Sequence, residues 1–540
     1  MRRSAALALI AILLSWNLTY PPAVKADDDD RYKSDPAAKL ATKTPIKHLV
    51  VIFDENISFD HYFGTYPNAL NLSGETSTFH PAPDTPLVNG LTPTLLNNNP
   101  NALNGGSNPF RLGPSLALTC NNNNGYTKEQ QAFDGGLLDK FSVTSVGAAC
   151  GAGFYFQPNL SMGYFDGNTV TALWNYAQHY SMSDNFFDTL FGTTVMGHMN
   201  LLSGQTHGFV VKVGTASPTV LPNGSIIANV QPYHDDCAAG SPPNIVMTGK
   251  NVGDLLNAAG VSWGWFYGDF APVSITAGVA TCTSIYNNHY APFDYYQSTA
   301  NPHHIPPVSL AAVGTDTCSN FTCANHNYDL NTFYNALSNG VLPAVTYLKF
   351  AENDTGHAAD SSPLLEQASL VTAINAIEQS PFWWDTAIII TYDDTGGWYD
   401  HAAGPIVNFS EDPVNDAISG IPAASGGSGS CGKLAGGAVP SPNDRCGLGV
   451  RMPFLLISPP AKRNYVDHSL NDTTSVLRFI EYNWSLGTIG DPTSFDVLAS
   501  GTILGMFDFD SNHGDDRDAE SRKLILDPTT GEIVRGPLTR

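Results

Sequence analysis

Two polar pairs each stand directly after an apolar run, and their side chains are of the kind that binds a metal ion. Glu55 and Asn56 follow the run His-Leu-Val-Val-Ile-Phe-Asp, and Asp393 and Asp394, here called the late pair, follow Ala-Ile-Ile-Ile-Thr-Tyr. Three carboxylates and an amide carbonyl supply the oxygen ligands that a hard divalent cation needs. Between the pairs in the chain, Thr194 offers a hydroxyl that such a cation can activate. This set predicts metal-assisted phosphoryl transfer.

The two apolar runs indicate the elements that position these residues. Both are short and rich in β-branched residues, which is typical of strands that a parallel sheet buries on two faces. Open α/β sheets bind ligands beyond the carboxyl ends of their strands, so both pairs should face one crevice. The pattern predicts an α/β fold with a wound, mostly parallel central sheet flanked by helices. Helices are predicted at 169–180, 364–379 and 473–484, and a further buried strand at 453–459.

The first residues have the basic, apolar and small-residue parts of a secretory signal, with cleavage expected after Ala26. The apolar stretch is about 10 residues, too short to span a bilayer. We therefore expect a secreted or periplasmic protein whose mature chain has no transmembrane anchor. Removing residues 1–26 takes away three cationic residues and no acid, so the net charge of −24 becomes −27. Such a charge argues against nucleic acid or an anionic membrane as a standing partner.

Eight cysteines form an even set without CxxC spacing. In a secreted chain this favours disulfides over a zinc site, and pairs close in sequence, such as Cys431 with Cys446, are natural candidates. The alternative is that several remain buried thiols.

The domain organisation predicted from composition is a single large catalytic unit between a leader and a tail. Residues 27–44 form a charged leader expected to fray, and the core spans 45–509. A stretch dense in Asn, Pro, Gly and Ser at 67–114 predicts a long surface loop, and 420–436 predicts a second one. A polar tail occupies 510–540.

Longer blocks surround the candidate residues and occur in one order along the chain. The main blocks lie at 51–64, 191–206 and 392–401, with shorter ones at 295–304 and 464–468. They resemble the bacterial phospholipase C and acid phosphatase family of phosphoesterases, which belongs to the alkaline phosphatase superfamily. The resemblance spans roughly 45–509, and several ordered blocks are more specific than any single motif.

The resemblance implies a secreted hydrolase of phosphate esters with an alkaline-phosphatase-like fold and long surface loop insertions. It implies Thr194 as the nucleophile and places His289 and His357 near the phosphate. The metal ligands that it implies are Glu55, Asn56, Thr194, Asp393 and Asp394. The donor set leaves the divalent ion open among calcium, magnesium, manganese and zinc.

Three positions depart from the usual family pattern. Thr193 stands where relatives have proline, Tyr290 where many have the second histidine of a pair, and Asn124 where many have a histidine. The last two changes remove groups that face the phosphate in relatives. They indicate a substrate preference that differs from the usual one.

In-line attack by Thr194 predicts a phosphothreonine intermediate, with the leaving alcohol protonated by His289 or His357. The first hypothesis for the substrate is a small phosphate monoester, as in acid phosphatases, because only the short tail follows the matched core. The alternative is a phospholipase C that cleaves phosphatidylcholine-like diesters, whose choline group could lie on aromatic rings. The rings considered for that role are Trp263, Trp265, Tyr267 and Tyr290.

A third possibility is a secreted binding protein that keeps the fold with a degraded site. Each motif also has a purely structural reading when taken alone. The late pair could form an ordinary turn, Glu55 and Asn56 could cap a helix, and Thr194 could belong to a hydroxyl network. The ordered occurrence of all the blocks favours the phosphoesterase site.

Overall fold

The structure is a computed structural model. It describes residues 35–102, 107–215, 220, 224–238, 240, 243–410, 412–418, 431, 445–490, 492–499, 501–510 and 519–536. The predicted signal segment at 1–26 and nearly all of the predicted loop at 420–436 lie outside the described residues.

A mixed sheet forms the centre of the fold, and among the described residues it has eight strands. Their order across the sheet is β4-β3-β5-β1-β6-β7-β2-β8. Only β7 runs antiparallel to both of its neighbours, and the other described strands share one direction. The predicted α/β class with a mostly parallel sheet is confirmed. In chain order the strands are β1 (His48–Asp54), β2 (Ser181–Ser183), β3 (Trp263–Tyr267), β4 (Asn327–Asp329), β5 (Val345–Lys349), β6 (Thr386–Tyr392), β7 (Phe454–Ile457) and β8 (Tyr465–Asp467).

The two strands predicted to position the site are neighbours at the middle of the sheet. β1 pairs in parallel with β6 along its whole length, from His48 opposite Thr386 to Asp54 opposite Tyr392. Every residue of both strands is buried, as expected for strands covered on two faces. Their carboxyl ends therefore meet at one edge of the sheet.

The described helices surround this sheet, and the three predicted ones are present within two residues of their expected ends. In chain order they are α1 (Phe59–Phe63), α2 (Pro93–Asn97), α3 (Tyr126–Phe133), α4 (Phe141–Thr144), α5 (Thr171–His179), α6 (Thr194–Ser203), α7 (Val252–Ala259), α8 (Leu330–Ser338), α9 (Pro363–Glu378), α10 (Thr474–Asn483) and α11 (Phe495–Leu498).

Small satellite sheets lie in the connections, and the hairpin Ser274–Thr276 with Val279–Thr281 is one of them. The other short strands are Phe110–Arg111, Gly163–Tyr164, Phe186–Phe187, Phe209–Val213, Gln231–Pro232, Asn244–Met247, Asn471–Asp472, Ile525–Leu526 and Ile533–Arg535. In its described residues, the predicted surface loop at 67–114 holds α2, the short strand Phe110–Arg111 and the start of the 3₁₀ turn Pro114–Leu116, and many of its side chains are exposed.

The leader was predicted to fray over 27–44, and this is wrong for residues 35–44. Asp35 is buried and its carboxylate lies 3.0 Å from Nε2 of His48, the first residue of β1. The Thr44 hydroxyl donates to Asn483 in α10 at 2.7 Å. The charged composition suggested that the leader is solvated, but Asp35 is buried because it pairs with the buried His48.

The predicted polar tail at 510–540 contains a packed segment at 519–536. Leu524 and Leu526 are buried in the main core, although the surrounding composition is polar. The backbone N–H of Leu524 donates to Glu378 at 2.8 Å, and Asn375 donates to the Leu526 carbonyl at 2.9 Å. This segment therefore belongs to the catalytic unit and covers α9.

All eight cysteines form disulfides between partners close in sequence, which confirms the expected pairing pattern. The bonds are Cys120–Cys150, Cys237–Cys282, Cys318–Cys323 and Cys431–Cys446. Over the described ranges, the helices are all too short or too polar to cross a membrane.

Candidate functional site

The pairing of β1 with β6 places the two polar pairs side by side. The backbone N–H of Asn56 donates to Asp393 Oδ1 at 3.1 Å, and the N–H of Ile57 donates to the Asp394 carbonyl at 3.0 Å. Asn56 has a φ of 62°, a left-handed conformation that asparagine tolerates better than most residues and that turns its side chain back towards the late pair. The structure therefore brings together Glu55, Asn56, Asp393 and Asp394, as the sequence predicted.

The end of the Asn56 side chain tests whether these residues fit a cation. One of its two terminal atoms lies 2.9 Å and 3.1 Å from the carboxylate oxygens of Asp394 and 3.2 Å from Glu55 Oε2. Without a cation this atom must be the amide nitrogen, because an oxygen there would face three acceptors. With a cation at the centre, the oxygen fits there as a further ligand. Oxygens about 3 Å apart are what the ligand shell of a hard cation requires, so the residues fit a divalent ion.

The buried carboxylates around the Asn56 side chain also favour binding of a cation. Glu55, Asp393 and Asp394 are fully buried, and Asp54 beside them is too. Asp393 Oδ2 and both carboxylate oxygens of Asp54 have no hydrogen-bond partner among the described residues. Buried carboxylates are costly unless they are paired or coordinate a metal. The cluster is therefore under-compensated and suits a divalent ion.

Lys349 at the end of β5 is the cation that the structure itself places in this cluster. Its fully buried ammonium contacts Glu55 Oε1 and lies 3.7 Å from Asp393 Oδ2. It also donates to the Asp54 carbonyl at 3.3 Å, and the Tyr290 ring lies 4.4 Å from it. Sequence reasoning missed this residue, because its place beside β1 depends on the strand order of the sheet.

The pKa values reflect this competition between burial and charge. Burial and the neighbouring Asp393 raise the pKa of Glu55 to about 8. Burial and the same neighbour raise the pKa of Asp394 well above its usual range. Burial alone would raise the pKa of Asp393, but the Lys349 ammonium more than offsets it and the pKa is lowered. Asp393 is thus the carboxylate held most firmly in the charged form.

Thr194 is the first residue of α6, and this helix packs directly on the late pair. A Cβ added at Gly197 would lie 1.9 Å from the Asp393 carbonyl oxygen, so only glycine allows this contact. One turn into the helix, His198 places Nδ1 2.7 Å from the Thr194 carbonyl and 4.0 Å from Asp393 Oδ2. The structure therefore packs α6, the helix that begins with the predicted nucleophile, against the late pair.

The N-terminus of α6 is held by two polar side chains that sequence reasoning missed. The Gly192 N–H donates to Glu129 Oε2 at 3.0 Å, and the Val195 N–H donates to Asn229 Oδ1 at 3.0 Å. The other Glu129 oxygen accepts from the Thr395 hydroxyl, next to the late pair. Glu129 therefore links the start of α6 to the loop after β6. Its distance in sequence from both elements left no local signal.

His357 is the predicted histidine that the structure places against the cluster. Its Nε2 lies 2.8 Å from the outward-facing amide atom of Asn56, and its Nδ1 lies 2.9 Å from Asp360 Oδ2. Burial lowers the pKa of His357, but Asp360 and Glu55 outweigh burial and raise it to about 9. Without a cation the ring is therefore protonated and Nε2 donates to the Asn56 oxygen, whereas an Asn56 oxygen bound to a cation would leave the amide nitrogen facing Nε2.

His289 has different surroundings. Its Nε2 lies 2.9 Å from Gln231 Nε2, and its backbone N–H donates to Asn287 Oδ1 at 3.1 Å. Burial lowers the pKa of His289 to about 4. A neutral ring at physiological pH suits hydrogen bonding better than proton donation. Its neighbour Tyr290 covers Lys349, which ties this segment to the site.

Asn124, the residue that departs from the family pattern, reaches the site. Its amide donates to Asp394 Oδ1 at 2.8 Å, and the Gly396 N–H donates to the same oxygen at 2.7 Å. These two donors orient the Asp394 carboxylate. Asn124 thus supports a candidate metal ligand.

The aromatic rings considered for a choline group lie in the core. Trp263, Trp265, Tyr267 and Tyr290 are all at most 1% exposed, and the first three belong to β3. They pack against other rings and strands, so they do not form an open cage. The expectation that they bind a choline headgroup is wrong for this arrangement of the site.

Comparison with known proteins agrees with this geometry. A model described as the phosphoesterase family matches residues 46–487. Phospholipase C A of Mycobacterium tuberculosis is 26% identical over 480 residues, covering 84% of this chain and 77% of that protein. Non-hemolytic phospholipase C of Burkholderia pseudomallei is 24% identical over 497 residues, covering 88% of this chain and 61% of that protein.

A crystal structure of a Vibrio parahaemolyticus protein of the alkaline phosphatase superfamily covers 70% of this chain and 69% of its own, with 12% identity and a TM-score of 0.28. The family model alone spans well over half of the 540 residues and includes every candidate site residue described above. The chain therefore belongs to the phosphoesterase family and is a phosphoric ester hydrolase.

Proposed function

We propose that the chain is an exported, metal-dependent phosphoesterase in which the Thr194 hydroxyl attacks phosphorus. The observation that supports this most strongly is the Asn56 amide end within 3.2 Å of three carboxylate oxygens, at the edge on which α6 packs. A divalent cation held by Glu55, Asn56, Asp393 and Asp394 would make the threonine alkoxide accessible and offset charge on the phosphoryl oxygens.

The position of Thr194 at the start of α6 suits an anionic intermediate. The first N–H groups of a helix and its macrodipole favour negative charge at this end. As the Thr194 Oγ1–phosphorus bond forms, the bond to the leaving alcohol breaks, which leaves a phosphothreonine from a monoester, or a phosphothreonine that still carries the second ester group from a diester. The threonine releases its proton to solvent. Water then attacks the phosphorus, releases the phosphate product and restores the hydroxyl.

This proposal gives His357 the role of orienting the Asn56 ligand, because an Asn56 oxygen on the cation would turn the amide nitrogen towards His357 Nε2, which then accepts a hydrogen bond. The raised pKa of about 9 for His357 belongs to the cation-free site, where Glu55 and Asp393 are uncompensated, and burial lowers the pKa of His289 to about 4. A His357 variant should lose this orientation and be impaired, while a Thr194 variant should be inactive, and the leaving alcohol takes its proton from solvent. His289 is assigned a positioning role beside Tyr290.

For the substrate we propose a phosphodiester of the phospholipase C type. Both relatives described above are phospholipases C, and the match covers 77% and 61% of their lengths. The second candidate is a small phosphate monoester. Asn124 favours it, since its amide is committed to Asp394 where a histidine in relatives would face the phosphate. Export is supported by four disulfides, which persist in oxidising compartments.

The test is hydrolysis of p-nitrophenyl phosphate and p-nitrophenyl phosphorylcholine side by side, with and without chelator. Thr194→Ala should abolish release, and the neighbouring Thr193→Ala should retain most of it as the matched control. Acid quenching followed by peptide mass spectrometry should find phosphate on Thr194 with the monoester, or phosphorylcholine on Thr194 with the diester. Preference for the choline diester supports the phospholipase C type, and release from the monoester alone supports the phosphatase type. Full activity of Thr194→Ala, or no hydrolysis with calcium, magnesium, manganese or zinc, would refute the proposal.

A further inference from the structure

A second group of metal-ligand side chains lies apart from the phosphoesterase site. Asp235, Asp294 and His304 are each at most 3% exposed, and each offers a ligand atom within 4.8 Å of the other two. They come from three separate segments, which the satellite sheet around Gln231–Pro232 and the 3₁₀ turn Pro292–Tyr295 bring together. Two carboxylates and an imidazole are a common divalent metal donor set.

The histidine of this group is already oriented as a ligand. His304 Nδ1 lies 2.7 Å from the Phe270 carbonyl, so Nδ1 donates there and fixes the tautomer. Its Nε2 lies 3.1 Å from Asp235 Oδ1. The second Asp235 oxygen accepts from the Tyr286 hydroxyl at 2.8 Å. Outer hydrogen bonds to both ligands are typical of metal centres.

Asp294 provides an independent indication that the group lacks a partner. Its Oδ1 accepts from the Asn301 N–H at 2.7 Å, but its Oδ2 is buried and has no hydrogen-bond partner among the described residues. The side chain is fully buried, so water outside the fold does not reach it. An unpaired buried carboxylate oxygen is costly, and a cation would remove that cost.

The charges of the group balance for a divalent ion. Two ionised carboxylates and a neutral imidazole around one divalent cation sum to zero, which is the arrangement that a buried site tolerates best. Without a cation, Asp294 Oδ2 has no hydrogen-bond partner among the described residues, and His304 Nε2 pairs with Asp235. The neutral state with metal is therefore the better satisfied one.

We propose that Asp235, Asp294 and His304 bind a second divalent cation, of the transition-metal class that accepts imidazole, with zinc as the best fit. This site is distinct from the oxygen-rich one at Asp393. Because Tyr286 bonds Asp235 and begins the segment that leads to His289, the cation fastens that segment to the disulfide-linked region at Cys237–Cys282. Its role is structural, since no ligand of this group touches the phosphoesterase cluster in the described contacts.

The experiment measures metal content by elemental mass spectrometry after zinc loading and dialysis against metal-free buffer. It uses the oxidised protein, so that cysteine thiols are not available as ligands. Asp393→Asn removes a ligand of the first site and should still retain one zinc per chain. Asp393→Asn combined with Asp294→Asn should lose it, whereas Asp393→Asn combined with Asp467→Asn, a buried carboxylate elsewhere, should keep it.

Cobalt substitution gives a second readout that needs no variant of this group. Cobalt bound to Asp393→Asn should show visible absorption bands of a site with one nitrogen ligand and oxygen ligands. The proposal is overturned if the Asp393→Asn protein retains no zinc and shows no cobalt bands. This outcome does not depend on whether the Asp294→Asn protein folds. Equal zinc retention with and without Asp294→Asn also overturns it.

Discussion

Replacing Lys349 by methionine tests the charge balance of the site. Methionine keeps most of the side-chain volume and removes the ammonium. Lys349 is fully buried, contacts Glu55 Oε1, and lies 3.7 Å from Asp393 Oδ2. Asp54 and Asp394 add two more buried carboxyl groups to this cluster. The variant therefore leaves several buried carboxylates without a resident cation.

The expected magnitude follows from the cost of breaking a buried ion pair. Removing one partner of such a pair typically costs about 3–5 kcal/mol, because the remaining charge is buried without compensation. In chelator, the free energy of unfolding of Lys349→Met should fall by about that amount. With a saturating divalent ion the loss should be smaller, since the ion supplies positive charge to the same carboxylates.

The assay is urea unfolding followed by tryptophan fluorescence, with EDTA and with each candidate divalent ion. Lys47→Met is the matched control, because its ammonium is only partly buried and bonds the Leu40 carbonyl at 2.7 Å and the Thr42 hydroxyl at 2.9 Å. The control should change stability by less than about 1 kcal/mol. A loss for Lys349→Met below about 1 kcal/mol in EDTA, or the same loss with and without metal, would refute the reasoning.

Two further predictions concern the leader and helix α6. Asp35→Asn should lower the melting temperature more at pH 5 than at pH 9. The pKa of His48 is raised above its ordinary 6.5, so the stability that its protonated ring contributes is present below pH 6.5 and is lost as the pH rises through the pKa of the folded state. The pKa of Asp35 is lowered below 3.8, so the stability that its carboxylate contributes is lost only in stronger acid. Calorimetry across pH checks this, and an equal loss at both pH values would contradict it. Gly197→Ala places a Cβ 1.9 Å from a carbonyl of the late pair and should cost at least about 1–3 kcal/mol and abolish hydrolysis. Gly240→Ala, with open space around its Cβ, is the control, and an active, stable Gly197→Ala protein would show that the helix does not need this contact.

The sequence allowed the central strands to be predicted, together with the juxtaposition of the candidate ligands. β1 and β6 are apolar runs that end in polar residues, and the carboxyl ends of parallel strands meet at one edge. That reasoning needs only local pattern and a general rule, so Glu55, Asn56 and the late pair were found together. The same holds for the disulfides, whose partners are close in sequence.

Other features had no local signal. Lys349 joins the cluster only because β5 is the neighbour of β1, and strand order is decided by the packing of the whole sheet. Asp35 was predicted to be solvated and is buried because it meets His48. Glu129 bridges two distant segments, and no periodicity in its own helix indicates that.

The sequence by itself therefore determined the chemical class of the site, since the ligand types follow directly from residues at the ends of recognisable strands. Only the tertiary structure decided which histidine contacts the cluster and where compensating charge lies. Those properties depend on burial and on charges within a few ångströms, and residues far apart in the chain supply both. His357 and His289 show this, because both are partly buried histidines and only the first has carboxylate neighbours that raise its pKa.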